Sequence, residues 1–215
     1  CCDPPLQRNS TGDAYVSLDE LLGQADIVSL HTPLSLSGVD RTFHLLNQEN
    51  IGRLKIGAIL INSGRGAVID NSALRKLLVS RGDISAVLDV WEHEPDIDRD
   101  LLARVTLATP HIAGYSLEGK LAGTEMVYQA ACDFFGISAT QSLADLLPED
   151  RLLTLSGSSD EKDEQRLYQG IQQAYDIAED DFNLRSFAEK EGVSLASGFD
   201  VMRKTYRVRR EFGRT

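Results

Sequence analysis

The sequence predicts an α/β fold, a parallel sheet sheathed in helices, with a small appended domain at its C-terminal end. Three observations predict it. Short runs that are apolar throughout, "ADIVSLHTP" (25–33), "GAILINSGRG" (57–66), "ISAVLDVW" (84–91) and "VTLATPH" (105–111), read as strands buried on both faces rather than as the alternating strands of a half-exposed sheet. Amphipathic segments with cap signals separate them, which is the βα alternation of a parallel sheet. Each run also ends on polar or glycine residues, and in open parallel sheets ligands bind at the carboxyl ends of the strands.

The elements follow in order. In "YVSLDELLGQ" (15–24), Ser17 precedes Glu20 by three residues, a capping-box signal for a short helix. Pro33 stops the first strand, and "NQENIGRL" (47–54) is a helical turn. The second strand breaks at Gly64. A helix follows in "DNSALRKLLVSRGD" (70–83), capped by Asp70 or Asn71 and stopped by Gly82. After the third strand, "DIDRDLLARV" (96–105) is a short helix that leads into the fourth. "SLEGKLAGTEMVYQAACDFFG" (116–136) is a long helix capped by Ser116 and ended at Gly136. Residues 137–160 read as a linker containing a short strand. Residues 161–192 read as one helical stretch, with Leu167, Ile171, Ala174 and Ile177/Ala178 at helical spacing, inside an appended domain that spans 151–215.

Composition narrows the function. The 215 residues are 42% hydrophobic, enough for a sizeable core. The net charge of −11 is uneven: residues 1–150 hold 11 basic and 21 acidic side chains, residues 151–215 hold 11 and 12. Nucleic-acid binding through a broad basic face is therefore not expected, and an anionic substrate would need a local positive pocket. The acidic stretch 160–181 and the basic stretch 203–214 are either two solvated faces or partners across a subunit contact. No run of 18 apolar residues predicts a membrane span, and the first residues lack a secretory pattern. Three cysteines make no disulfide framework; Cys132 reads as a small buried residue, and a reducing, cytoplasmic setting is expected. The histidines lack ligand spacing, so no metal site is expected.

Chemistry-bearing residues cluster at the strand ends. Arg65 sits between Gly64 and Gly66, which allow close backbone approach to a ligand or positive φ, and an arginine grips a carboxylate with two parallel hydrogen bonds. The alternative is a solvated turn. "LDVWEHEP" (88–95) holds Glu92, His93 and Glu94; a carboxylate beside a histidine fixes its tautomer, although either acid can equally be an exposed loop residue, and His93 is expected to be exposed. His111 follows a strand in "TPHIAGYS" (109–116), where it is either a proton carrier or a structural donor. His44 reads as structural.

The segments "HTPL", "GAILINSGRGAVID", "LDVWEHEP" and "HIAGYS" together resemble the D-isomer-specific 2-hydroxyacid dehydrogenases, over about residues 26–136. The resemblance implies a Rossmann-type sheet and NAD as cofactor. It implies three catalytic residues: Arg65 for the substrate carboxylate, His111 for proton exchange with the substrate hydroxyl, and Glu94 as the partner of His111. It implies cofactor contacts from Asp3, Thr32, Ser63, Gly64, Arg65, Asp89 and Gly114, with Asp3 favouring NAD over NADP through the ribose hydroxyls. Tyr115 is implied as a substrate contact beside Arg65. The opening "CDPP", the tyrosine of "HIAGYSLEGK" and the tail "FDVMRKTYRVRREF" are similar to one branch of the family, which acts on a phosphorylated 2-hydroxy acid and homodimerises through an extra C-terminal α+β domain. That implies three parts: 1–115 as most of the NAD-binding domain, 116–150 as the returning helix and linker, and 151–215 as the dimerisation domain. A glycerate- or phosphoglycerate-type dehydrogenase and a non-catalytic dimerisation module stand as alternatives. The chain holds no G-x-G-x-x-G, a pattern expected about 20 residues before Asp3. The expectation is accordingly an incomplete sheet lacking its first strands, the C-terminal part of a longer enzyme that binds NAD poorly and is inactive alone.

Overall fold

Four short strands, β1 (Ile27–Leu30), β2 (Ile59–Asn62), β3 (Ser85–Leu88) and β4 (Leu107–Ala108), form one parallel sheet in the order β1-β2-β3-β4. They are seen in a computed structural model that describes residues 1–9, 15–148, 163–190, 192 and 194–211. The register sets Leu30 beside Asn62, Asn62 beside Leu88 and Leu88 beside Ala108. The polar residues that follow each strand therefore leave the sheet along one edge, as the sequence predicts.

Burial along the strands alternates. Val28, Leu30, Leu60, Ala86, Leu88 and Ala108 are buried, whereas Ile27, Ser29 and Ile59 are exposed and Val87 is half-buried. The expectation of full cover on both faces therefore holds for one face only. An apolar run shows that a strand tolerates cover, and the packing partners decide how much it receives.

The helices predicted after Ser17, after Asp70 or Asn71, and after Ser116 start at those caps, and a further helix after Asp3 was not predicted. Asp3 caps α1 (Pro4–Arg8) and Ser17 caps α2 (Leu18–Gln24), its hydroxyl accepting from Glu20 N. Asn47–Leu54 contains a single 3₁₀ turn, Ile51–Arg53. Asp70 caps α3 (Asn71–Ser80), which buries Ala73, Leu74 and Leu77 in the core. Its last residue is followed by Arg81 in extended conformation, not by a left-handed Gly82. Arg81 donates to the carbonyls of Leu54 and Lys55, and this pulls the chain out of the helix. Asp98 caps α4 (Arg99–Leu102). Ser116 caps α5 (Leu117–Phe135), which ends at Gly136 with φ 65°. A short α6 (Leu143–Leu146) follows. Of the linker expected to hold a short strand, 137–160, residues 137–148 contain no strand and 149–160 lie outside the described residues.

The stretch expected as one helix is two, α7 (Asp163–Ala174) and α8 (Ile177–Glu189), followed by α9 (Leu195–Lys204). The break at Tyr175–Asp176 interrupts the helical spacing, and Asp176 accepts from Ala178 N to restart it.

Contacts divide the chain into two units, 1–111 with 180–204, and 112–179 with 205–215. In the first, Leu184, Leu195 and Phe199 join the core of the sheet. Arg185 donates to the carbonyls of Leu102 and Val105 at 2.6 and 2.9 Å, and Asp181 accepts from Ala108 N at 2.7 Å. α8 thus satisfies an edge amide of β4 that would otherwise lack a partner. In the second unit, the tail bridges Arg209 to Ser116, Glu211 accepts from the Ser116 hydroxyl, and Arg210 pairs with Glu118. Arg207 pairs with Glu179 in the same unit at 2.6 Å. Cys132 is buried, as expected, and all three cysteines are free thiols. Among the described residues no helix is long and apolar enough to cross a membrane.

Candidate active site

The site starts with the turn after β2. Asn62 is buried at the strand end, and its side chain donates to Arg65 O at 3.0 Å and accepts from Gly64 N at 3.2 Å. This Asx turn fixes Ser63–Arg65 through one side chain. Arg65 projects from it, exposed; its guanidinium donates to Gly64 O at 2.8 Å, and no carboxylate among the described residues pairs with it. Asn62 was not among the predicted site residues, though its place directly before "SGRG" is the signal that marks it.

Of the two roles expected for the flanking glycines, positive φ is absent at both, and close packing against neighbouring backbone adds a reason for each. A side chain on Gly64 would meet the carbonyls of Leu30 and Thr32 at 3.3 Å. A Cβ on Gly66 would lie 1.9 Å from Trp91 O. Gly66 is thus demanded by the backbone of the loop after β3, which presses against the Arg65 turn. Trp91 is itself buried and anchored by its indole N–H to Thr109 O at 3.1 Å.

That loop carries the acid pair. Glu94 Oε1 accepts from Trp91 N at 2.8 Å, and Oε2 lies 2.7 Å from His111 Nδ1. A carboxylate only accepts, so Nδ1 carries the proton and Nε2 of the neutral ring is left as the proton acceptor. His111 holds left-handed backbone, φ 57°, while its N–H donates to Asp89 O at 2.7 Å. Such a conformation costs about 1–3 kcal/mol and persists where its surroundings over-determine it. Asp89 is buried and accepts from the Thr109 hydroxyl at 2.6 Å.

The structure therefore brings Arg65, Glu94, His111, Asp89, Ser63 and Gly64 to one edge of the sheet. Thr32 joins them at the end of β1, with a buried hydroxyl that has no partner among the described residues. Asp3 accepts from Leu6 N at 2.9 Å as the cap of α1. Gly114 and Tyr115 belong to the second unit, where Tyr115 packs edge-on to Tyr206 and under the Lys120 ammonium. His93 is exposed, as expected. Glu92 and His44 are bonded to each other at 2.6 Å, a pairing the sequence does not reveal.

Comparison with known proteins gives two family matches. Residues 2–113 match "D-isomer specific 2-hydroxyacid dehydrogenase, NAD binding domain", and residues 146–215 match a domain of unknown function (DUF3410). The chain is 47% identical, over 98% of its length, to the erythronate-4-phosphate dehydrogenase of Pseudomonas fluorescens. It covers 55% of that protein, about half the length of the curated relatives it matches. Among solved structures, it is 32% identical to a glyoxylate reductase from Paecilomyes thermophila, with TM-score 0.51 over 67% of this chain and 43% of that one. It is 29% identical to an NAD-complexed D-isomer specific 2-hydroxyacid dehydrogenase from Lactobacillus delbrueckii ssp. bulgaricus, with TM-score 0.50 over 65% and 45%.

Proposed function

Because the chain belongs to the D-isomer specific 2-hydroxyacid dehydrogenase, NAD binding domain family, we propose that it serves the NAD-dependent oxidation of 4-phospho-D-erythronate at C2. The product is the 2-oxo acid, 2-oxo-3-hydroxy-4-phosphobutanoate, an intermediate of pyridoxal 5′-phosphate biosynthesis. The observation that carries this reading is the 2.7 Å bond between Glu94 and His111 beside the exposed Arg65 turn. The relatives named erythronate-4-phosphate dehydrogenase, similar over nearly the whole chain, supply the substrate.

The residues divide the work. Arg65 holds the substrate carboxylate through its planar fork, a geometry that lysine cannot reproduce. His111 Nε2 takes the proton of the C2 hydroxyl as the carbonyl forms. Glu94 stabilises the resulting imidazolium and keeps the ring oriented. Thr32, Ser63, Gly64, Arg65, Asp89 and Asp3 would hold NAD, and the Thr32 hydroxyl, unpartnered among the described residues, fits a polar ligand at the end of β1. Gly114 and Tyr115 keep the roles the resemblance assigns them, cofactor and substrate contact. NAD, when bound, supplies the acceptor for the hydride that leaves C2. We further propose a homodimer formed through 151–215 and a cytoplasmic location.

The test is a substrate panel in the natural protein that carries this chain. The expected result is NAD reduction with 4-phospho-D-erythronate at a kcat/KM about 10²-fold or more above those for D-glycerate and 3-phospho-D-glycerate. Equal or greater efficiency with either of the latter contradicts the assignment.

A further inference from the structure

Glu92 makes a carboxylate–imidazole contact that the proposed reaction does not use. Its Oε1 accepts from His44 Nε2 at 2.6 Å and its Oε2 from Asn71 N at 2.8 Å. Both side chains are largely withdrawn from water, 12% and 29% exposed for Glu92 and His44.

What these two donors have in common is the Arg65 loop. His44 N donates to Ala67 O, Leu46 N to Val68 O, and Asp70 N to Leu46 O, so the segment that begins at His44 runs alongside 67–70. Asn71 begins the helix directly after that segment. One carboxylate therefore ties down the segment 67–71 that leaves the Arg65 turn twice, directly at Asn71 and through the neighbouring segment at His44. Glu92 also lies between Trp91, whose backbone abuts Gly66, and Glu94, which holds His111. His44 adopts left-handed backbone, φ 51°, with its ring stacked on Phe43, an arrangement that the bond to Glu92 helps to hold.

We propose that Glu92, through His44, is a positioning residue. It fixes the Arg65 loop against the Glu94 loop, so that the carboxylate and the hydroxyl of a 2-hydroxy acid meet Arg65 and His111 at once. This rests on the function proposed above and adds to it a structural reason for the first of the two glutamates in "WEHEP". A bifunctional substrate gains from holding two groups in register, and displacement of one by about 1 Å costs on the order of 10²-fold in rate.

The test uses the natural protein with 4-phospho-D-erythronate and NAD. Glu92→Gln keeps the shape but sets an amide donor against one of two donors. It should lower kcat/KM on the order of 10²-fold and leave the acidic limb of the pH profile in place, because the Glu94–His111 bond is untouched. Glu94→Gln should move that limb. His44→Gln, which can still donate to Glu92, should retain kcat/KM within a few-fold, and His44→Ala should behave like Glu92→Gln. The double variant Glu92→Gln/His44→Ala should be no worse than the poorer single one. Should Glu92→Gln fail to fold, His44→Ala carries the test, since it removes one bond from a partly exposed side chain. The inference is overturned if Glu92→Gln, or His44→Ala in its place, matches the unaltered protein within twofold, or if its pH limb moves as that of Glu94→Gln does. No turnover by the unaltered protein overturns the proposed function itself, which separates that failure from this one.

Discussion

At the scale of single residues, the glycines of "SGRG" show how identity and cause can part. The sequence marks Gly64 and Gly66 as special, and ligand approach or positive φ is the natural reading. The structure gives Gly66 another reason, the Trp91 carbonyl 1.9 Å from where a Cβ would sit. That contact joins residues 25 apart in sequence and no local pattern encodes it. Gly66→Ala should therefore destabilise the protein by about 3 kcal/mol, and Gly64→Ala, whose contacts are 3.3 Å, by about 1 kcal/mol. Urea unfolding of the two variants checks this, and equal losses would remove the packing account. The sequence marked Arg65 and His111 as candidates by their type and their place after a strand, whereas only the resemblance chose Glu94 over Glu92. Asn62 and Glu92 were harder to see, because their roles are hydrogen bonds to backbone and to a distant histidine.

At the scale of elements, caps and strands were legible and helix ends less so. Ser17, Asp70 and Ser116 each accept a backbone N–H two or three residues into a helix, as their types predict. The end of α3 is set instead by Arg81, which reaches three carbonyls before β2, those of Gly52, Leu54 and Lys55, and also Asp83. Asp83 in turn accepts from Gly57 N at 2.9 Å. The Arg81 guanidinium, with the Gly57 N–H, holds the Asp83 carboxyl far below the usual carboxylate range. A depressed folded-state pKa gives stability that is present above the unfolded value, about 4, and is lost as pH falls from there toward the folded value. Asp83→Asn should thus lower Tm at pH 7, and the difference should shrink as pH falls below about 4. A Tm difference that does not change with pH would show that the charge contributes nothing. The site of α8 was not legible, since its docking on β4 depends on long-range bonds from Asp181 and Arg185. Leu184→Ala should cost about 2–5 kcal/mol, read by urea unfolding, because Leu184 is fully buried in the core of the sheet. A loss below 1 kcal/mol would detach α8 from that core.

At the scale of the whole molecule, the parallel order of the sheet and its aligned strand ends followed from the alternation of apolar runs and caps. Its one-sided cover did not, because burial depends on what packs against a strand. The pairing of Arg207 with Glu179 gives the acidic and basic stretches an intrachain partner. If the proposed homodimer also relies on such pairs, its dissociation should rise between 0.05 and about 1 M salt; a dimer indifferent to salt would be held by apolar contact instead. The chain of 215 residues contains no G-x-G-x-x-G, and NADH fluorescence titration of this chain should show weak binding. Tight binding would mean that the turns after β1, β2 and β3 suffice to hold the cofactor.

The central claim is that Arg65 and the Glu94–His111 pair act on one 2-hydroxy acid. The most direct test measures kcat/KM for 4-phospho-D-erythronate in the natural protein with Arg65→Lys and His111→Asn, alongside NADH affinity by fluorescence. The account predicts a fall on the order of 10²–10⁴-fold in each variant, with NADH affinity nearly unchanged in His111→Asn. Turnover close to that of the unaltered protein in either variant would remove that residue from the reaction and contradict the account.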